Sequence, residues 1–204
     1  MDTNLKLYIT RFAQLTADEF AIVDELFDHR LIKKKTLLLK AGEICRFEGY
    51  IVKGCVREYF IDRDSVEVTL EFATEDWWVS DIGSFESQSK SRMYIETLEE
   101  TELLVLTKEK KDELLSRVPK LERMFRLMMQ RHLSVIQSRL IDTIASTAME
   151  RYVKFTARYP KISQRVSQHY IASYLGITAE FLSKLRKRHF RTEAVNREQN
   201  RDDD

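Results

Sequence analysis

Between Leu121 and Ile144 the chain runs without a single glycine or proline. At about 1.5 Å per residue, a helix over that stretch is a rod of roughly 35 Å, longer than a small domain is wide. Leu121, Phe125, Met128, His132, Val135 and Arg139 recur at spacings of four and three, a heptad-like seam with a polar end. A second apolar stripe passes through Met124, Leu127, Ile136, Leu140 and Ile144. One stripe is expected to pack on the preceding part of the chain and the other on a second copy, making a homodimer. The rod is expected to separate two regions of different character.

The region before it reads as strands. "TLLLKAGEICRFEGYIVKGCVREYFIDRDSVEVTLEFATEDWWVS" is a series of short runs rich in Val, Ile, Tyr and Phe, punctuated by Gly42, Gly49, Gly54 and the polar turn "DRDS". "MYIETLEETELLVLTKEK" adds two more, with alternation at Tyr94, Glu96 and Leu98 and at Leu104 and Leu106. Strands at this spacing indicate an antiparallel barrel or roll. Ahead of them, Thr16 and Glu19 have capping-box spacing and open a short helix whose apolar side holds Phe20, Ile22, Val23, Leu26 and Phe27.

The region after the rod is short and basic. From Thr143 to Arg191 there are ten Lys or Arg against two acids, a net +8, whereas the whole chain carries only +1. A charge imbalance of that size at one end suits a polyanionic partner. Thr147 and Glu150 repeat the capping-box spacing, which ends the rod near Ser146 and makes "TIAST" a candidate hinge. The helix that follows, stopped by Pro160, is expected to turn Met149, Tyr152, Val153 and Phe155 inward and Arg151, Lys154 and Arg158 outward.

In "SQHYIASYLGITAEFLSKLRKR" Ser167 can cap one helix and Thr178 a second that runs to about Phe190, with Gly176 free to take the positive φ of the turn. Ile171, Leu175, Ile177, Leu182 and Leu185 supply a small aliphatic core, and Ala172 is small where the helices meet. That is the layout of a helix-turn-helix. It leaves Ala179, Glu180, Ser183, Lys184, Lys187 and Arg188 on the outer face of the second helix, short-chained at its start and cationic at its end. Such a face suits the major groove of double-stranded DNA, with Glu180, Ser183 and Lys184 near base edges and Gln168, His169 and Thr178 near phosphates.

Other classes fit poorly. Apolar runs are too short for a membrane span and the N-terminus lacks the layout of a secretion signal, so a cytoplasmic protein is expected. Cys45 and Cys55 with four scattered histidines form no metal framework, and no metal or other cofactor is expected. No nucleophile and base pairing, paired-carboxylate arrangement or Gly-rich phosphate loop marks an enzyme.

A roll of strands, a long dimer helix, a capped hinge and a terminal helix-turn-helix, in that order, resemble the Crp/Fnr family of bacterial transcription regulators over nearly the whole chain. "LLLKAGEICRFEGYIVKGCVREYFID" is similar to the family's early roll strands, including a recurrent turn at Gly54 to Val56, and "SQHYIASYLGITAEFLSKL" is similar to its DNA reader. "WWVSDIGSF" stands where cyclic-nucleotide binders of the family have a Gly-Glu pair. The resemblance implies an α+β chain. Residues 1–118 would form an antiparallel double-stranded β-helix of jelly-roll type, a sensor domain like those that bind cyclic nucleotides. Residues 119–146 would form the dimerisation helix and hinge, 147–191 an all-α DNA-binding domain, and 192–204 a polar tail.

The resemblance also implies double-stranded DNA, a second copy of the chain, a small-molecule effector and RNA polymerase as partners. Its effector contacts fall on Ser80 and Asp81, on Ser91 and Arg92, and on Ile136 and Gln137. Here the family's glutamate is an aspartate, its glycine is gone and its Arg-Ser pair is reversed. One residue of displacement on a strand sends a side chain to the other face, so cyclic AMP is a poor match. The iron-sulfur members' N-terminal cysteine cluster is absent, and His29 and His132, as lone histidines, suit structural roles better than haem ligation. The family's hairpin wing also has no counterpart in "HFRTEAVNREQNRDDD". The alternative is a small-molecule sensor or scaffold with a vestigial reader.

Overall fold

The computed structural model describes residues 2–188. The expectations about the polar tail, the wing and the last residues of the reader helix fall outside them. The chain divides into two units between Gln137 and Ser138.

The first unit opens with α1 (Thr3–Thr10) and α2 (Ala17–Leu26). The capping box at the start of α2 forms as expected, the Glu19 amide donating to the Thr16 hydroxyl and the Thr16 amide to the Glu19 carboxylate. Six strands follow: β1 (Asp28–Ile32), β2 (Leu37–Leu39), β3 (Glu48–Lys53), β4 (Val56–Ile61), β5 (Glu67–Ala73) and β6 (Trp78–Val79). Then come α3 (Ile82–Ser87), β7 (Tyr94–Thr97), β8 (Thr101–Leu106) and α4 (Lys108–Arg117). The strands form two antiparallel four-stranded sheets, in the orders β1-β8-β3-β6 and β2-β7-β4-β5. This is the expected antiparallel roll.

Between the sheets lie Leu39, Ile51, Val56, Phe85, Ile95, Leu103 and Val105. A second core covers the far face of the β1-β8-β3-β6 sheet, where Tyr50, Val52, Leu104 and Leu106 meet Leu5, Tyr8 and Ile9 of α1, Val23 and Leu26 of α2 and Leu114 of α4. Burial on both faces explains why β3 is apolar through "YIV" instead of alternating with polar residues. The sequence reading contained no helix at α1, α3 or α4. All three are short, and α1 and α4 owe their stability to this second core more than to periodicity.

The rod is α5 (Lys120–Ala145), one helix as expected. Its apolar residues divide by position along the helix more than by stripe. Leu121, Met124 and Phe125 are buried in the second core, whereas Leu133, Ile136, Leu140, Ile141 and Ile144 are exposed, Ile144 to 77%.

The second unit contains the end of α5, α6 (Ala148–Arg158), α7 (Ile162–Arg165), α8 (Gln168–Leu175) and a last helix, α9, described over residues 179–188. The Thr147–Glu150 capping box is present. Tyr152, Phe155, Ile162, Ile171, Ala172, Leu175, Leu182 and Leu185 are buried. Two expectations for α6 are corrected. Val153 is 41% exposed, because the inward stripe follows Tyr152 and Phe155. Arg151 turns inward to donate to the carbonyls of Leu175 (3.1 Å) and Ser146 (2.6 Å), groups that helix ends leave without partners.

Two glycines have different jobs. Gly54 has φ +121°, and a Cβ there would stand 2.8 Å from the Thr101 backbone. Gly176 caps α8 at φ +66° with open space around it. Gly54→Ala is expected to cost about 2 kcal/mol or more, from backbone conformation and overpacking together. Gly176→Ala is expected to cost about 1 kcal/mol, from conformation alone. Urea denaturation of the two variants checks the order.

Candidate functional site

Two places in the described residues gather polar chemistry, one in each unit.

In the first unit, β4 and β5 pair so that Glu58 lies directly opposite Glu71. Both are on the inner face and both are buried, at 8% and 7% exposure. Like charges directly opposite each other on a sheet are destabilising, and burial sharpens the penalty. Burial, then the neighbouring Glu71, push the Glu58 carboxyl well above the usual range, although the Ser80 amide donates to it. Glu71 faces α5, with His132 Nδ1 3.6 Å from its Oε2.

Glu58 and His132 border a cavity of ≈ 40 Å³, room for about three water molecules, and Glu71 lies behind them. Its walls include Trp77, Trp78, Met128 and His132, and its polar lining includes Glu48, Glu58 and Ser80. Glu48 is 2% exposed; its Oε1 accepts from Lys111 Nζ at 3.0 Å and its Oε2 has no hydrogen-bond partner. Burial again raises its carboxyl, against the pull of Lys111. Asp76 is engaged elsewhere, by the Tyr50 hydroxyl (2.5 Å) and by Arg11 (3.2 Å). The Arg131 guanidinium sits 5.0 Å from the Trp77 ring.

Of the six effector candidates from the sequence, only Ser80 borders this cavity. Its hydroxyl donates to the Phe47 carbonyl at 2.9 Å. Asp81 caps α3 through the Ser84 amide and accepts from the Ser91 hydroxyl at 2.7 Å. Arg92 is exposed, as are Ile136 and Gln137 on α5. The stretch "WWVSDIGSF" singled out in the sequence does bring Trp77, Trp78 and Ser80 to the cavity, but sequence reasoning missed Glu48, Glu58 and Glu71. A signal was present in glutamates placed among Val, Tyr and Phe on consecutive strands. The bulge between Glu58 and Tyr59 disturbs the alternation that would have assigned their face.

In the second unit, the Gly176 amide reaches the carbonyls of Ala172 and Ser173, and Thr178 opens α9 by accepting from the Phe181 amide at 3.2 Å. Leu182 and Leu185 are buried, which leaves Glu180, Ser183, Lys184, Lys187 and Arg188 exposed and Ala179 half-buried. His169 and Thr178 are exposed and Gln168 is half-buried. Glu180 is held below the usual carboxylate range by its own backbone amide and by the Thr178 hydroxyl. Lys154, which pairs with Asp142, and Arg151 are spent within the unit, so the cationic face is carried by the end of α9. Phe181 is exposed there as well.

Among the described residues no group of three or more His, Cys, Asp or Glu is placed to hold a metal, and no helix is long and apolar enough to cross a membrane. Cys45 and Cys55 are both buried, and neither is in a disulfide.

Residues 29–118, which hold nearly all of the roll, match the family model of the cyclic nucleotide-binding domain. No curated protein matches the chain, but many solved structures share its fold. The global regulator CLP of Xanthomonas campestris, described as responsive to c-di-GMP, is 16% identical, with a TM-score of 0.70 over 87% of this chain and 93% of CLP. FixK2 of Bradyrhizobium japonicum is 18% identical, with a TM-score of 0.72 over 82% of this chain and 86% of its own. A protein from Eubacterium rectale assigned to the Crp/Fnr family of transcriptional regulators is 16% identical, with a TM-score of 0.67 over 88% and 85%. Over the matched residues the chain shares the fold of these three structures.

The opposed carboxylates make a prediction about stability. A carboxyl whose folded pKa is raised binds its proton more tightly in the native state. Its contribution is therefore retained below the unfolded value and lost as pH rises toward the folded one. Glu58→Gln is expected to raise the thermal midpoint relative to the parent, by a margin that widens from about pH 5 to about pH 8. Thermal melts across that range test it, and a constant or negative margin contradicts the assignment.

Proposed function

We propose that this protein is a homodimeric, sequence-specific DNA-binding transcription regulator of the Crp/Fnr type, with the N-terminal roll as its sensor domain. The observation that carries the reading is the face of α9. A capped helix start with a small residue at Ala179 is followed by exposed Glu180, Ser183 and Lys184, and then by Lys187 and Arg188, all over a core closed by Leu182 and Leu185. Base edges would be read by the first group. Phosphates would be held by the later cations, together with Gln168, His169 and Thr178. The candidate domain limits remain 1–118 for the sensor, 119–146 for the coupling helix and 147–191 for the reader.

One observation favours a dimer through α5. Leu133, Ile136, Leu140 and Ile144 are exposed at spacings of three and four, and a row of that kind is stable in water only when another surface covers it. Two-fold symmetry would then present two reader helices to half-sites about one helical turn, roughly 34 Å, apart. An effector bound in the roll would act by shifting the populations of two arrangements.

Lys187→Ala is expected to weaken binding alike on all sequences and to flatten the salt dependence of log K by about one unit. Lys184→Ala is expected to relax preference at one base pair by about 1–3 kcal/mol. Gel shifts with the gene's own upstream DNA at several salt concentrations measure both. If the variant combining Lys184→Ala with Lys187→Ala binds that DNA like the parent, the reading fails. Leu140→Asp combined with Ile144→Asp is expected to halve the mass found by light scattering while leaving the helical circular dichroism in place.

A further inference from the structure

The roll's cavity is acidic. Of the carboxylates around it, Asp76 is taken up by Tyr50 and Arg11, Asp81 by the start of α3 and Ser91, and Glu71 by His132. Two needs are left. Glu58 lines the cavity with no cation paired to it, and the buried Oε2 of Glu48, on the same cavity, has no donor. Cations are present but committed: Lys111 to Glu48 Oε1 and Glu86, and Arg131 to the Trp77 ring, where its side chain is exposed. A phosphate in this space would meet opposed buried carboxylates and raise an electrostatic cost that is already high. A positive charge would relieve it.

We propose that the cavity binds the ammonium group of a small organic amine, with Glu58 as its counter-ion backed by Glu71, Glu48 Oε2 as a second acceptor, and Trp77 and Trp78 as aromatic walls. A primary ammonium offers three donors, which suits carboxylate oxygens on two strands, and its charge is attracted to aromatic faces. The size of the space restricts the buried part to the charged end of the molecule. Without ligand, burial and then Glu71 raise the Glu58 carboxyl and favour its protonated form. Binding of the cation favours the carboxylate, so the Glu58 proton leaves to solvent and affinity rises with pH. Asp81 acts on Glu58 in the same sense as Glu71; His132 and Arg131 on α5 are the cations nearest the site. The regulatory meaning of such binding rests on the sensor reading above, but the binding itself does not.

Both tryptophans of the chain, Trp77 and Trp78, line the cavity, so intrinsic emission reports on it directly. The test is to titrate the full-length protein, without DNA, with methylammonium chloride and with 1,4-diaminobutane dihydrochloride, sodium chloride being withdrawn to hold ionic strength constant. Cyclic AMP is titrated in parallel. The expected result is a saturable change in emission with at least one amine, tighter at higher pH and accompanied by proton release to the buffer, and none with cyclic AMP. Glu58→Gln, and Glu58→Gln combined with Glu71→Gln, are expected to weaken amine binding about tenfold or more through loss of charge-assisted hydrogen bonds. The single variant serves if the double one does not fold. No saturable response to either amine, an undiminished response in the variants, or a saturable response to cyclic AMP alone overturns the proposal. Adding the amine to a protein–DNA gel shift then separates the two ideas. Amine binding with no effect on DNA affinity leaves the site intact and removes only its regulatory role.

Discussion

Burial of β3 and β8 on both faces is the constraint on which the first unit depends. A sheet with one wet face would alternate along its strands; this one carries Tyr50 and Val52 toward the helices and Ile51 toward the other sheet. The far face therefore has to be covered. Short helices that would not persist alone, α1 and α4, are held there by Leu5, Tyr8, Ile9 and Leu114. The first turns of α5 join them through Leu121, Met124 and Phe125. That anchorage brings Met128 and His132, one and two turns further on, to the cavity at Glu58.

The cavity combines an apolar aromatic wall with carboxylates that the fold has not fully neutralised. Placing Glu58 opposite Glu71 costs stability, because neither strand register nor burial lets the two charges move apart. Buried polar groups that cost stability are found disproportionately where something binds or titrates. The contrast with the sensor residues implied by family resemblance is informative. Asp81, Ser91 and Ser80 are occupied by hydrogen bonds within the protein, whereas the buried carboxylates Glu48, Glu58 and Glu71 lie on β3, β4 and β5.

Much of the architecture was legible in the sequence because it rests on periodicity and caps. Thr16–Glu19 and Thr147–Glu150 mark helix starts that the structure reproduces, and the absence of Gly and Pro marks α5. The strands followed from β-branched and aromatic runs between glycines. Helices held by tertiary contacts were not legible, since α1 and α4 carry little signal of their own. The carboxylate pair was hidden for a related reason. A glutamate on a strand reads as solvent-facing until its partner strand is known, and pairing between residues 58 and 71 emerges only from register. Arg151 misled in the same way: its charge suggests an outer face, but open carbonyls at two helix ends drew it inward.

The corner between α5 and α6 has a mechanical consequence. The Ser146 carbonyl accepts from Arg151, and Asp142, one turn before the end of α5, pairs with Lys154. A break in a helix held by two charged side chains from the next helix is a latch and not a swivel. Small bending strains both contacts without releasing either, and release of one exposes the other to water. The ion pair in this latch is partly exposed and so weakens as ionic strength rises, whereas the Arg151 contact to a partly buried carbonyl is less affected by salt.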